Sequence, residues 1–270
     1  MNQIDQNIHR SINIETKTIF GLNIFDGSKS KLIDQYISRM LKRDRGDNSR
    51  ATLVFTPNPE QVVLSKNDPH FLAALKHADL LIPDGTGIVV ASRLLAAFGK
   101  AERISERISG VDLLKEIVGH FPESSAVVIG GRNGDEDATH EGVLTIEGKK
   151  VAWLPAYRDV QHPTVEEVQN LDRFLRKEKP DVVFVAFGAP FQEYWSIRHH
   201  KDLEELGVKL IMVVGGAVDV LSGRLQRAPK MVRALGLEWL YRLIQEPWRW
   251  RRQLRLVEFI GMTLQQLFAR

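Results

Sequence analysis

At 270 residues, 43% hydrophobic and 26% charged, the chain can bury a sizeable core and lacks the polar bias of a disordered protein. Cysteine is absent, which excludes disulfides and thiolate metal sites, and no apolar run reaches the roughly 18 residues of a membrane-spanning helix. The net charge of +3 is unevenly divided: residues 221–270 hold nine Arg and one Lys against three Glu, a net of +7, which leaves −4 for residues 1–220.

The polar start, Met1 to Asn7, carries no secretory signal, so a cytoplasmic chain is expected. Residues 1–16 read as a loose tail, and Lys17 to Ile24 as a short strand or hairpin arm. Apolar spacing at Leu32, Ile33, Tyr36, Ile37, Met40 and Leu41 predicts a helix over Lys29 to Arg43, with a basic loop to Arg50. Ala51 to Phe55 is apolar, β-prone and stopped at proline, as a buried strand should be. Pro59 suits the first turn of a following helix, with Asn58 as N-cap and Gln61 completing a capping box. Leu80 to Ile82 reads as the next strand and ends at Pro83-Asp84-Gly85-Thr86-Gly87. Helices are predicted over Ile88 to Phe98 and Gly110 to His120. Ala126 to Ile129 is a strand entering Gly130-Gly131, and Val143 to Ile146 and Val151 to Leu154 are two strands around Glu147-Gly148-Lys149. Thr164 begins a helix through Lys177, with Glu167 placed to complete a capping box. Asp181 to Ala186 is a strand, Glu193 to Leu206 a helix, and Leu210 to Val214 a strand leaving at Gly215-Gly216.

Strands alternating with helices predict an α/β fold with a mostly parallel sheet covered on both faces. Three parts follow: a tail (1–16), a core (17–220) and a basic appendage (221–270). In the appendage Leu237, Leu240, Tyr241 and Ile244 share a helical face, Pro247 breaks the helix, and Leu256, Phe259, Ile260 and Leu264 continue the stripe. Three of the five tryptophans lie here among arginines, the composition of a helix in a membrane interface, although arginine and aromatics also stack on nucleic acid. A bilayer or a second copy of the chain is needed to cover the stripe.

Ligands of open α/β sheets bind beyond the carboxyl ends of the strands, so Thr56, Asn58 and Asp84 share one rim. Asp84 suits a general base, or merely a helix cap. Gly188 and Gly215-Gly216 each stand between a strand and a helix, where backbone N–H groups approach phosphate or a tight turn simply needs glycine. Arg224, Arg227, Arg233 and Arg242 suit a diphosphate, or a solvated basic face. Asp135-Glu136-Asp137 looks like a D-x-D metal clamp within an acidic run. The eight histidines form no H-E-x-x-H, and neither Walker A nor G-x-G-x-x-G is present.

Thr56-Pro57-Asn58-Pro59-Glu60, Pro83 to Gly87, Glu106-Arg107-Ile108-Ser109-Gly110-Val111-Asp112-Leu113, Gly188-Ala189-Pro190-Phe191-Gln192-Glu193, and Arg227-Ala228-Pro229 with Gly236 to Leu243 together resemble the bacterial WecG/TagA/CpsF glycosyltransferase family. The likeness runs in order from about Lys17 to Arg255. It implies a Rossmann-like core whose C-terminal appendage reaches the membrane, peripheral on the inner face of the cytoplasmic membrane. The implied reaction is inverting, metal-independent and cofactor-free transfer from a UDP-sugar to a sugar on polyprenyl (undecaprenyl) diphosphate, building cell-surface polysaccharide. The sugar is of the N-acetylmannosamine, N-acetylmannosaminuronic acid or glucose type. The resemblance makes Asp84 the catalytic base, Thr56 and Asn58 sugar-pocket residues, Arg107 and Gln192 liners of the same cleft, and the appendage arginines a clamp on the UDP diphosphate. The departure from the family lies between Arg132 and Pro163, on the side expected to read the donor sugar.

Two alternatives stand beside this expectation. One is a metal-dependent UDP-sugar transferase using Asp135 and Asp137. The other is a non-catalytic protein binding nucleic acid or anionic lipid through the basic tail; the transferase reading expects no nucleic acid.

Overall fold

A computed structural model describes residues 14–43, 50–131 and 140–269. Strands β1 (Thr16–Ile19) and β2 (Leu22–Phe25) form a small antiparallel hairpin. Helix α1 (29–41) follows, with π-helical winding over Leu32–Ile37. The main sheet is built from β3 (Thr52–Phe55), β4 (Leu80–Leu81), β5 (Ala126–Gly130), β6 (Gly142–Ile146), β7 (Lys149–Leu154), β8 (Val182–Ala186) and β9 (Leu210–Val213), in the order β4-β3-β9-β8-β5-β7-β6. Every neighbouring pair is parallel except β6 with β7. The expected α/β sheet is therefore present, and residues 142–154 supply the two strands at one of its edges. Glu147 and Gly148 both take positive φ in the turn between them.

Successive residues of the central strands enter opposite cores, because side chains alternate across a sheet. Leu53, Val127, Val183 and Ile211 pack on one face; Val54, Val128, Phe184 and Met212 pack on the other. Helices α2 (Pro59–Asn67), α3 (Pro69–His77), α4 (Thr86–Ala97), α5 (Gly110–His120), α6 (Val165–Glu178), α7 (Phe191–Arg198) and α8 (His200–Glu205) connect the strands. Both expected capping boxes form: Asn58 with Gln61, and Thr164 with Glu167.

The helix expected over Glu193 to Leu206 is instead two helices that meet at His199. His200 turns inward there to hydrogen-bond the Ala51 carbonyl (2.6 Å), which ties the break to the start of β3. The segment after Pro59 likewise divides at Asp68, whose carboxylate accepts from the N–H groups of His70 and Phe71 and so caps a new helix.

Past β9 come α9 (Ala217–Leu221), α10 (Lys230–Ala234), α11 (Glu238–Gln245), a single 3₁₀ turn at Pro247–Arg249, and α12 (Trp250–Phe268). The last helix returns to lie along α2 and touch α4. Phe259 and Met262 are buried in the core cluster, and Phe259 meets Phe20 edge-on at 5.2 Å. No helix among the described residues is long and apolar enough to cross a membrane.

Candidate active site

The parallel strands end on one edge of the sheet, and a cleft of about 1660 Å³ opens there beneath the C-terminal helices. Thr56 leaves β3 with its hydroxyl donated to the Val213 carbonyl on neighbouring β9 (3.2 Å). The Asp84 N–H is held by the Pro57 carbonyl (3.0 Å), which sets the exit of β4 beside the exit of β3. A Cβ placed on Gly110 would lie 3.4 Å from Thr56 Oγ1 and 3.6 Å from Asp84 Oδ2, so the predicted neighbours do share one rim around this glycine. Asn58 also lines the cleft, but its side-chain oxygen accepts from the Gln61 N–H (3.1 Å). What Asn58 offers a ligand is therefore its Nδ2 donor.

Asp84 precedes the N-terminus of α4 and accepts from the Gly110 N–H at the start of α5. Its side chain is 28% exposed and lines the cleft. Burial accordingly pushes the carboxyl above the usual carboxylate range; Arg107 opposes this and Glu238 adds to it. Arg107 stands between two acids, with NH2 2.6 Å from Glu238 of α11 and 3.6 Å from Asp84. Its buried Nε has no hydrogen-bond partner among the described residues.

Gln192 is buried at the centre of the floor. Its Oε1 accepts from the N–H groups of Gly188 (3.2 Å) and Gly215 (3.1 Å). Those two donors, expected to face phosphate, are thus taken by a brace that ties the exits of β8 and β9 together. Gln192 Nε2 and Gln61 Nε2 both donate to Glu193 Oε1 (2.9 Å each). The fully buried Glu193 leaves Oε2 without a partner among the described residues, and burial raises its carboxyl to about 7.

The arginines divide. Arg224 and Arg242 line the cleft, Arg224 paired with Asp219, and Arg242 donating to the Gly216 carbonyl (3.0 Å) at 4.0 Å from Asp219. A Cβ on Gly216 would meet the Arg242 guanidinium, which would have to shift aside. Arg227 and Arg233 turn to Asp112 of α5 instead: Arg227 grips it with both guanidinium nitrogens (2.5 and 2.6 Å), while Arg233 stays at 3.9 Å and donates to the Ala228 carbonyl. Burial alone would raise Asp112, but the Arg227 fork holds its carboxyl below the ordinary range. Arg251, Arg252 and Arg255 also face the cleft.

Asp135 and Asp137 lie outside the described residues, and no cluster of three His, Asp or Glu suited to a metal occurs among the described ones. Sequence reasoning missed Asp219, Glu238 and the role of Glu193. Glu193 and Glu238 do stand inside the quoted motifs, yet their partners Gln61 and Arg107 are 132 and 131 residues away, beyond any local pattern. Chemically, the cleft sets one desolvated carboxylate, able to take a proton from a hydroxyl, near guanidinium groups suited to an anionic leaving group.

Comparison with known proteins bears on that chemistry. A family model described as "Glycosyl transferase WecG/TagA/CpsF family" matches residues 17–270. The chain is similar to the N-acetylglucosaminyldiphosphoundecaprenol N-acetyl-beta-D-mannosaminyltransferase of Bacillus subtilis (strain 168), 29% identical across 94% of this chain and 93% of that one. It is 30% identical to the protein of the same name from Bacillus spizizenii, across 93% and 91% of the two chains. The Staphylococcus aureus (strain MRSA252) protein of that name is 31% identical across 75% and 74%. With the family model spanning all but the first residues and the sheet and motifs in keeping with it, the chain belongs to the WecG/TagA/CpsF family of glycosyl transferases.

Proposed function

We propose that this glycosyltransferase moves a sugar of the N-acetylmannosamine class from a UDP-sugar to N-acetylglucosamine on undecaprenyl diphosphate, with inversion and without a metal ion. The observation that carries the reading is Asp84, a carboxylate desolvated at the base of the cleft with its pKa pushed up, in the same cavity as Arg224 and Arg242. In a single in-line displacement, the acceptor hydroxyl attacks the anomeric carbon and gives its proton to Asp84. The bond from that carbon to UDP breaks, and the departing diphosphate takes the electron pair. Guanidinium groups are suited to receive that charge. The relatives' names support the acceptor and the sugar.

Membership of a transferase family removes the non-catalytic alternative. The exposed Trp248 and Trp250, with Arg251, Arg252 and Arg255 beside them, support peripheral attachment to an anionic membrane, where such an acceptor resides. The deciding experiment measures UDP release from a panel of UDP-sugars with a short-chain polyprenyl-diphosphate acceptor, with and without EDTA. Acceptor-dependent, EDTA-insensitive release is expected. Loss of release on chelation would favour Asp135 and Asp137 as a metal clamp. Release that ignores the acceptor would overturn the transfer reading.

A further inference from the structure

Helices α4 and α12 run side by side away from Asp84. A Cβ on Gly87, in the first turn of α4, would lie 3.6 Å from the Phe259 ring, and Lys100, just past the end of α4, donates to the Ala269 carbonyl (2.5 Å). At about 100° per residue, α12 presents four edges. Phe259 and Met262 enter the core, while Glu258 and Gln265 bond Asn67 and Lys66 at the end of α2. Trp250, Leu254 and Val257 stand exposed on the outer edge. The fourth edge, Leu256, Ile260 and Leu264, lines the cleft, and Val90 and Leu94 of α4 line it too, one turn apart.

Polar groups along this stretch are already engaged. The Thr263 hydroxyl donates to the Phe259 carbonyl (2.9 Å), and Arg93 donates to the Ser105 carbonyl (3.0 Å). What remains is an apolar groove continuous with the cavity that holds Asp84 and Arg242.

We infer that this groove between α4 and α12 holds the first isoprene units of the acceptor's lipid chain and leads it out of the cleft, an assignment that rests on the polyprenyl-diphosphate reading above. The sugar and diphosphate of a UDP-sugar are polar throughout and gain little from such walls. Val90, Leu94, Ile260 and Leu264 are open to solvent as Trp250, Leu254 and Val257 are, but unlike those three they line the cavity shared with Asp84 and Arg242, where the tail of a bound diphosphate would reach them. Leu256 to Leu264 spans about 12 Å at 1.5 Å per residue, so the groove meets only the beginning of a long chain.

The test uses the full-length protein without any bilayer, and N-acetylglucosamine diphosphates carrying a methyl group or one, two, three or four isoprene units, each below its micelle concentration. kcat/KM should rise by roughly tenfold per unit over the first two or three units, as burial of each apolar segment accumulates, and then level off. Leu94→Gln with Ile260→Gln should flatten that rise while UDP affinity stays put. Leu254→Gln with Val257→Gln should keep the rise and lose binding to anionic vesicles. Indifference to tail length, or a rise that the outer-edge pair abolishes and the groove pair spares, overturns the assignment and leaves those side chains to the bilayer or to a second copy. Direct titration with farnesyl diphosphate separates this failure from failure of the transfer reading. If no acceptor turns over but farnesyl diphosphate binds the wild type and binds the groove pair at least tenfold more weakly, the groove stands and the reaction falls. No difference in that titration sinks the groove on its own.

Discussion

The floor of the cleft follows strands β8 and β9, in which every residue is buried, whereas α11, which helps to roof it, has no buried residue at all. The floor is held by apolar burial and by the Gln192 brace. The roof is held by charge: Glu238 on Arg107, Arg242 beside Asp219, Arg227 on Asp112. Burial is insensitive to salt and costs several kcal/mol to undo, while partly exposed ion pairs contribute about 1 kcal/mol or less and are screened. Changes to the floor should therefore move turnover and stability together. Changes to the roof should move substrate affinity and leave the fold almost untouched.

Asp84→Asn is the sharpest departure from that division, because this floor residue is strained toward neutrality by burial. Turnover should fall by about 10³-fold, the range of a lost general base. The melting temperature should hold or rise, since an uncharged amide removes a desolvated carboxylate. A variant that kept a tenth of the turnover would sink the base assignment. In the wild type, kcat/KM should increase with pH through a value above the ordinary carboxylate range.

Arg242→Gln tests the roof. As a charge-assisted partner of the departing diphosphate is lost, kcat should fall by roughly 10- to 100-fold and the KM for the donor should rise, with the melting temperature within about a degree or two. A collapse in stability would show that the roof is structural after all. Gln192→Ala tests the floor, since it strands the N–H groups of Gly188 and Gly215 and leaves Glu193 with one donor fewer. Denaturation should report a loss of about 2 kcal/mol, accompanied by a fall in kcat.

Glu193→Gln is read as stability against pH. Below its ordinary value of 4.5 the carboxyl is protonated in both folded and unfolded chains and adds no slope. From there to about 7 the unfolded chain releases the proton and the folded chain keeps it, so stability falls as pH rises, by up to about 1.4 kcal/mol per unit. The Gln variant should lose that slope; an unchanged melting profile from about pH 5 to pH 7 would mean that the carboxyl ionises without cost.

The sheet was largely legible because its strands are apolar runs stopped by Pro or Gly, as at Phe55, Leu81 and Gly130, and because both capping boxes are written within four residues. The rim of Thr56 and Asp84 followed from strand ends alone. What could not be read was the partner of each charge. Asp112 meets Arg227 across 115 residues, so a clamp expected to draw all the appendage arginines over one anion is divided between the cleft and α5. The apolar stripe of α12 was visible, but period alone could not tell that Phe259 is buried in the core while Ile260, one residue on, stays exposed in the cleft wall. Nor does a pattern of apolar residues forecast the break at His199, which depends on a carbonyl of β3's approach 149 residues earlier.

Arg107, shared between Asp84 and Glu238, makes the acid on the floor sense the acid on the roof. Because Glu238 raises the proton affinity of Asp84, reciprocity requires that a proton on Asp84 raise the affinity of the roof for the core by the same factor. An ionised Asp84 competes with Glu238 for one guanidinium; a protonated one yields it. A proton on Asp84 therefore leaves the Arg107 guanidinium to Glu238 alone.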